Sequence, residues 1–295
     1  MSELNVSFRP ELERPVLIAA FRGWNDGGQG ASLGAAYLAK QWNAARFAEI
    51  EPEGFFDFQA VRPHVSLVDG ETRRVDWPDN GFFHASIPGA NRDAVLLLGI
   101  EPNLRWQTFS SLVLELARDL GVEMVVTFGS LLADVPHTRP APVTAAATDP
   151  RLVARLGLEA SRYEGPTGIV GIVHDRCREA DIASVSLWAA VPHYVSLAPS
   201  PRAALALVRR FGELLHVDVD LRELDQAAAE YAEQVSEAVS TDAETAAYVE
   251  ELEQRVDALA PEEGDLPSGD TLAAELTRFL REREEQDGGA DGPAG

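Results

Sequence analysis

Met124-Val-Val-Thr-Phe-Gly-Ser-Leu-Leu-Ala-Asp-Val-Pro-His-Thr-Arg-Pro140 joins a short apolar segment to a loop dense in polar chemistry. Met124–Phe128 has the length and branching of a buried strand. Gly129 and Ser130 are expected to end it, and prolines then stiffen a loop carrying Asp134, His137 and Arg139. A loop at the carboxyl edge of a buried strand is where α/β proteins usually keep ligand-contacting groups. An acid, an imidazole and a guanidinium there could bind an anion or move a proton. The competing reading is that Asp134 and Arg139 pair locally and hold the loop together.

Three other segments read as buried strands: Pro15–Phe21, Asp93–Gly99 and Ala183–Ala190. Small-residue and amphipathic stretches between them predict helices at about 31–42, 104–120, 149–156 and 201–215, and one that follows a tight Gly165–Gly171 turn and runs through Ala180. Strand and helix alternating in this way imply parallel pairing and a sheet covered on both faces. A further strand is expected at Arg46–Ile50, and a strand-rich excursion between Phe55 and Ile87.

The net charge of −23 is uneven. From Asp218 onward there are 23 acids against 5 arginines, a balance of −18, which leaves −5 for the first 217 residues. The reading is therefore an α/β/α domain over 1–217, an acidic helical hairpin over 218–260, and a linker, short helix and disordered acidic tail over 261–295. Leu221, Leu224, Ala228, Tyr231 and Val235 share one helical face, as do Val249, Leu252, Val256 and Leu259. Asp220 with Glu223, and Thr241 with Glu244, read as helix starts. Such acidity repels phosphate backbones, so no nucleic-acid partner is expected. No apolar run approaches the roughly 20 residues of a membrane span, the start lacks a secretory pattern, and Cys177 stands alone. The expectation is a soluble cytoplasmic protein with no membrane partner, no disulfide and no cofactor.

Four loops follow predicted strands. Gly23-Trp-Asn-Asp-Gly-Gly-Gln-Gly30 lacks both dinucleotide and phosphate-loop spacing, so tight helix packing is favoured, with Asn25 and Asp26 as caps. Gly99–Trp106 offers Glu101, costly after a buried strand unless paired, and Asn103 as an N-cap. The third is the Asp134–Arg139 run, and the fourth, Val191-Pro-His-Tyr194, supplies His193. Thr167, in the turn Gly165-Pro-Thr-Gly168, could join them. If these ends converge, Asp26, Glu101, His137, Arg139 and His193 face one crevice able to carry hydrolytic acid–base chemistry or hold a metal through His and carboxylates. Neither a zinc-protease motif nor a Gly-x-Ser-x-Gly elbow is present, so Ser130 lacks a nucleophile's setting and no metal is assigned.

Pro15–Phe21 with Gly23-Trp-Asn-Asp26, Gly99-Ile-Glu-Pro102, the Asp134–Pro140 run, Gly165-Pro-Thr-Gly168 and Trp188-Ala-Ala-Val-Pro-His-Tyr194 together resemble the bacterial branch of the proteasome assembly chaperone family, over about residues 12–260. The resemblance implies a three-layer α/β/α domain similar to purine nucleoside phosphorylases and related hydrolases, with a helical C-terminal appendage. It also implies a homo-oligomer, a trimer being one candidate size, and a non-enzymatic binding role linked to proteasome subunits. Family members often use a C-terminal hydrophobic-Tyr-any tail, from which Pro293-Ala-Gly295 departs. The alternative is an enzyme or small-anion-binding protein using the strand-end crevice.

Overall fold

The computed structural model describes residues 3–259. The chain divides into units at 1–253 and 254–295. The expected linker at 261–269, the short helix at 271–281 and the tail lie outside the described residues. In chain order the elements are β1 (Leu4–Val6), β2 (Val16–Arg22), α1 (Gly30–Gln41), β3 (Ala45–Ile50), β4 (His64–Val68), β5 (Thr72–Asp76), β6 (Asn80–Ser86), β7 (Asp93–Ile100), α2 (Trp106–Asp119) and β8 (Met124–Ala133). There follow β9 (Val143–Ala147), α3 (Pro150–Arg155), β10 (Glu159–Ala160), α4 (Ile169–Glu179), β11 (Ala183–Pro192), α5 (Pro201–Leu215), α6 (Arg222–Ser240) and α7 (Ala243–Leu259).

Nine strands form one sheet in the order β1-β3-β6-β7-β2-β8-β11-β9-β10. Its centre, β7-β2-β8-β11, is parallel throughout. Antiparallel strands flank that centre on either side. All four strands read as central from their apolar runs are therefore in one sheet. Their side chains are apolar at nearly every position because helices cover both faces. One face buries Ala31, Leu38, Leu207 and Phe211 from α1 and α5. The other buries Phe109, Val113, Ile169 and Val173 from α2 and α4. The result is the expected mixed α/β architecture, with a large central sheet flanked by helices. The chain leaves β2 for the first face through α1 and leaves the adjacent β7 for the second through α2.

Several local expectations are corrected. Gly129 and Ser130 do not end β8, which runs on to Ala133 in parallel register with β11 as far as Pro192. Ladder pairing overrides the glycine because the Trp188 ring covers it, leaving no room for a Cβ at Gly129 (2.5 Å). The excursion between Phe55 and Ile87 resolves into a separate β4–β5 hairpin and β6 of the main sheet. Asn103 does not cap α2; its side chain accepts from Asp57 N at 3.0 Å. The start of α7 is capped by Asp242, which accepts from Glu244 N and Thr245 N (both 3.3 Å), while Thr241 donates back to Ala238 O. Of the stripe read on α6, Leu224, Ala228, Tyr231 and Val235 are buried and Leu224 belongs to the first-face core, while Leu221 precedes the helix and is half-buried. On α7, Val249 and Leu252 are buried.

Candidate functional site

Because β2, β7, β8 and β11 run parallel, their carboxyl ends and following loops lie along one edge of the sheet. There the sequence-derived residues fall into small hydrogen-bonded groups. Glu101, just past β7, accepts from Trp24 N (3.1 Å), Asn25 Nδ2 (2.6 Å) and Ile169 N (2.9 Å). The last of these is the first N–H of α4, so a carboxylate from another strand satisfies a helix N-terminus and its dipole. This is the pairing that a half-buried carboxylate requires. Gly168 permits it: a Cβ there would meet Asn25 Oδ1 at 2.3 Å and Glu101 Oε1 at 2.5 Å. Asn25 is fully buried. Thr167 is exposed beside this group, its hydroxyl turned over Gly171.

Asp26 caps α1, as one reading of the glycine-rich turn expected. It accepts from Ala31 N (2.9 Å), Ser32 N (3.1 Å), Ser32 Oγ (2.5 Å) and Ser130 Oγ (3.3 Å). Burial pushes its carboxyl pKa above the ordinary value, against the opposing effect of these donors, Ser32 foremost. Ser130 N donates to Asn25 O at 2.9 Å, so the first two groups are contiguous.

His137 and Arg139 sit farther along, under the C-terminal helices. His137 is 2% exposed, and both ring nitrogens are engaged: Nδ1 with Tyr194 Oη (2.9 Å) and Nε2 with Ser236 Oγ of α6 (2.9 Å). His137 N also donates to Tyr194 Oη at 2.8 Å. Ser236 Oγ donates to Ala232 O (2.8 Å). The proton inventory closes with the neutral Nε2–H tautomer, Tyr194 donating to Nδ1 and Ser236 accepting from Nε2. Burial first, then nearby Arg202, push the His137 pKa below its usual value, while Glu253 pulls the other way. Thr138 and Arg139 both reach Glu253 of α7, Arg139 at 3.5 Å, and Arg202 donates to Arg139 O. The cavity among Pro136, His137, Arg202 and Tyr231 holds only about 10 Å³, roughly the space of one water.

Asp134 pairs with His193 (Nδ1 to Oδ1, 3.1 Å), not with Arg139, and both side chains are well exposed. His193 and His137 both pack edge-on against the Tyr194 ring, at 5.8 and 5.9 Å between centroids. The structure thus brings Asn25 to Glu101, Asp26 to Ser130, His137 to Arg139's loop and Asp134 to His193. It places no direct bond between the Glu101 group and the two histidines. Among the described residues no cluster of three or more His, Cys, Asp or Glu could hold a metal. Sequence reading missed Tyr194, Ser236, Arg202 and Glu253. Ser236 lies 99 positions from its imidazole partner, and no local signal could have found it.

The same edge also exposes large apolar side chains. Trp24 is 62% exposed and Leu132 57%, with Leu104, Leu131, Tyr163 and Leu197 also open to solvent. These come from the ends of β2, β7, β8 and β11 and from the turn before α4. Gly27 lies against the Leu131–Leu132 backbone, which ties the Trp24 loop to the end of β8.

The sequence profile of the PAC2 family matches residues 20–239, spanning β2 to the last turns of α6. The chain belongs to the PAC2 family. A crystal structure of a PAC2 family protein from Streptomyces avermitilis is 45% identical, with a TM-score of 0.74, covering 80% of this chain and 99% of that one. A Mycobacterium tuberculosis proteasome-assembly chaperone homologue is also 45% identical, with a TM-score of 0.74, covering 79% and 99%. Pyrococcus furiosus PbaB, described as an archaeal proteasome activator, shares the fold at 19% identity and a TM-score of 0.64, covering 80% and 97%. No curated protein matches the chain. PAC2 membership agrees with the resemblance drawn from the strand-end motifs. The profile covers all of the loops that carry them.

Proposed function

We propose that this PAC2 protein is a non-enzymatic binding protein of the assembly-chaperone kind, acting on proteasome subunits in the cytoplasm as a homo-oligomer. The observation that carries the reading is the exposed apolar carboxyl edge centred on Trp24, Leu131 and Leu132. Exposed aromatic and aliphatic side chains at the ends of neighbouring strands suit a protein partner. Membership in the family, and a 45%-identical relative described as a proteasome-assembly chaperone homologue, support the choice of partner. The polar groups behind that edge support it as well, because Glu101, Asp26 and His137 are all taken up by internal hydrogen bonds. Such bonds fix the loops that present the apolar side chains. Among the described residues no helix is long and apolar enough to cross a membrane.

The test is a time course of core-particle assembly from separately purified proteasome α and β subunits of the same organism. Adding the protein should change the rate or the yield of assembled particle, and Leu132→Asp should remove most of that effect. An assembly course identical with and without the protein, over a tenfold range of its concentration, refutes the proposal.

A further inference from the structure

A second feature of the carboxyl edge is concave. A crevice of about 410 Å³ opens beside the ends of β2 and β7, on the α1 face. This is the point where two adjacent strands send their connections to opposite faces, β2 through α1 and β7 through α2. Open α/β sheets place small ligands in the crevice formed at such a switch point. The volume falls within the range of small-molecule sites, and the walls have the usual mostly apolar character. They are formed by Leu33, Ala36, Phe83 and Leu98, with Arg22 and Gln29 among the polar groups.

The charges decide the ligand class. Arg22 ends β2, is exposed, and its guanidinium has no hydrogen-bond or ion-pair partner among the described residues. Asp79, the acidic residue on the opposite wall, is engaged through both oxygens by Arg46 at 2.7 Å. Ser32, the first-turn residue of α1 that lines the crevice, already donates both its amide and its hydroxyl to Asp26. One free, planar guanidinium above an apolar slot therefore matches a single carboxylate on a hydrocarbon or aryl body. A phosphate is better matched by several cations, and among the lining residues Arg22 is the one cation.

We infer that this switch-point crevice binds a small amphipathic monocarboxylate, with Arg22 taking the carboxylate and the Leu33–Ala36–Phe83–Leu98 wall taking its apolar body. The site is separate from the apolar rim that carries the proposed function, and it does not depend on that reading.

The test is calorimetric titration of the full chain with 3-phenylpropionate, beside 3-phenylpropylamine, 3-phenylpropanol and phenyl phosphate. The carboxylate should bind with a Kd of about a millimolar or tighter, and the amine should not bind. Arg22→Gln should weaken the carboxylate about tenfold or more while leaving the weaker alcohol unchanged. Ala36→Trp, at an exposed helix position, should fill the slot and abolish binding with the melting temperature kept. The proposal is overturned if wild type shows no heat up to about 10 mM carboxylate, or if amine or phosphate binds better. It is equally overturned if both variants, folded by their melts, bind as wild type does.

Discussion

His137 is the group whose removal speaks most directly to how the strand-end loops are held. Substituting alanine deletes two side-chain hydrogen bonds at 2.9 Å, one to Tyr194 and one to Ser236 of α6. Each is worth about 0.5–1.5 kcal/mol net, so His137→Ala should cost about 1–3 kcal/mol. The pH dependence follows from the neutral tautomer. A proton on Nδ1 would face the Tyr194 hydroxyl that now donates to it, and the Tyr194 proton would have to turn away. Burial and Arg202 already hold the folded pKa below the ordinary 6.5, against Glu253. A histidine lowered in this way contributes its stability in full above its unfolded pKa and loses it as pH falls through the folded value. The assay is urea unfolding of wild type and variant between pH 5 and 8. The quantity read is the difference between them, since self-repulsion of the −23 charge changes with pH in both. That difference should be largest above pH 6.5 and narrow on acidification. A double-mutant cycle with Ser236→Ala should show coupling of about 0.5–1.5 kcal/mol. A difference below about 0.5 kcal/mol at pH 7.5, or one that widens as pH falls, refutes the reasoning.

Three further outcomes are expected. Gly168→Ala should destabilise by about 2 kcal/mol or more in chemical denaturation, because its Cβ would meet Asn25 Oδ1 at 2.3 Å and Glu101 Oε1 at 2.5 Å. Asp26 has a raised pKa, so its protonated form is favoured in the folded state and its contribution falls as pH rises from the unfolded value through the folded one. The stability of Asp26→Asn relative to wild type should therefore increase between pH 3 and pH 7 in urea melts. Trp24→Ala and Leu132→Asp replace side chains that are 62% and 57% exposed, and each should alter stability by less than about 1 kcal/mol while weakening partner binding.

The fold was legible where an apolar run had only one interpretation. Val16–Phe21 and Ala94–Gly99 are apolar at successive positions because both faces of the sheet are covered, and no helix period competes. The ends of strands were not legible, because ladder pairing with β11 carries β8 through Gly129 and Ser130. β9 was also missed: Val143-Thr-Ala-Ala-Ala147 is short and small, and it is a strand because Val185–Ala189 pairs with it. At the site, Glu101 was legible as a carboxylate in need of partners, and its partners are close in the fold at Trp24, Asn25 and Ile169. The roles of His137 and Arg139 were not legible, since their partners Ser236 and Glu253 lie on helices more than 90 positions away. Arg22 was passed over because the sequence shows it only as the polar end of a buried strand. Its free guanidinium becomes visible once the fold sets it against α1 and β7.

The most direct measurement of the central claim is hydrogen–deuterium exchange of the full chain with and without purified proteasome α subunits. Protection should concentrate in the loops at Trp24, Leu104, Leu131–Leu132, Tyr163 and Leu197, and be lost in Leu132→Asp. Protection confined to the β4–β5 hairpin or the C-terminal helices, or no protection at concentrations that saturate wild-type binding, would contradict it.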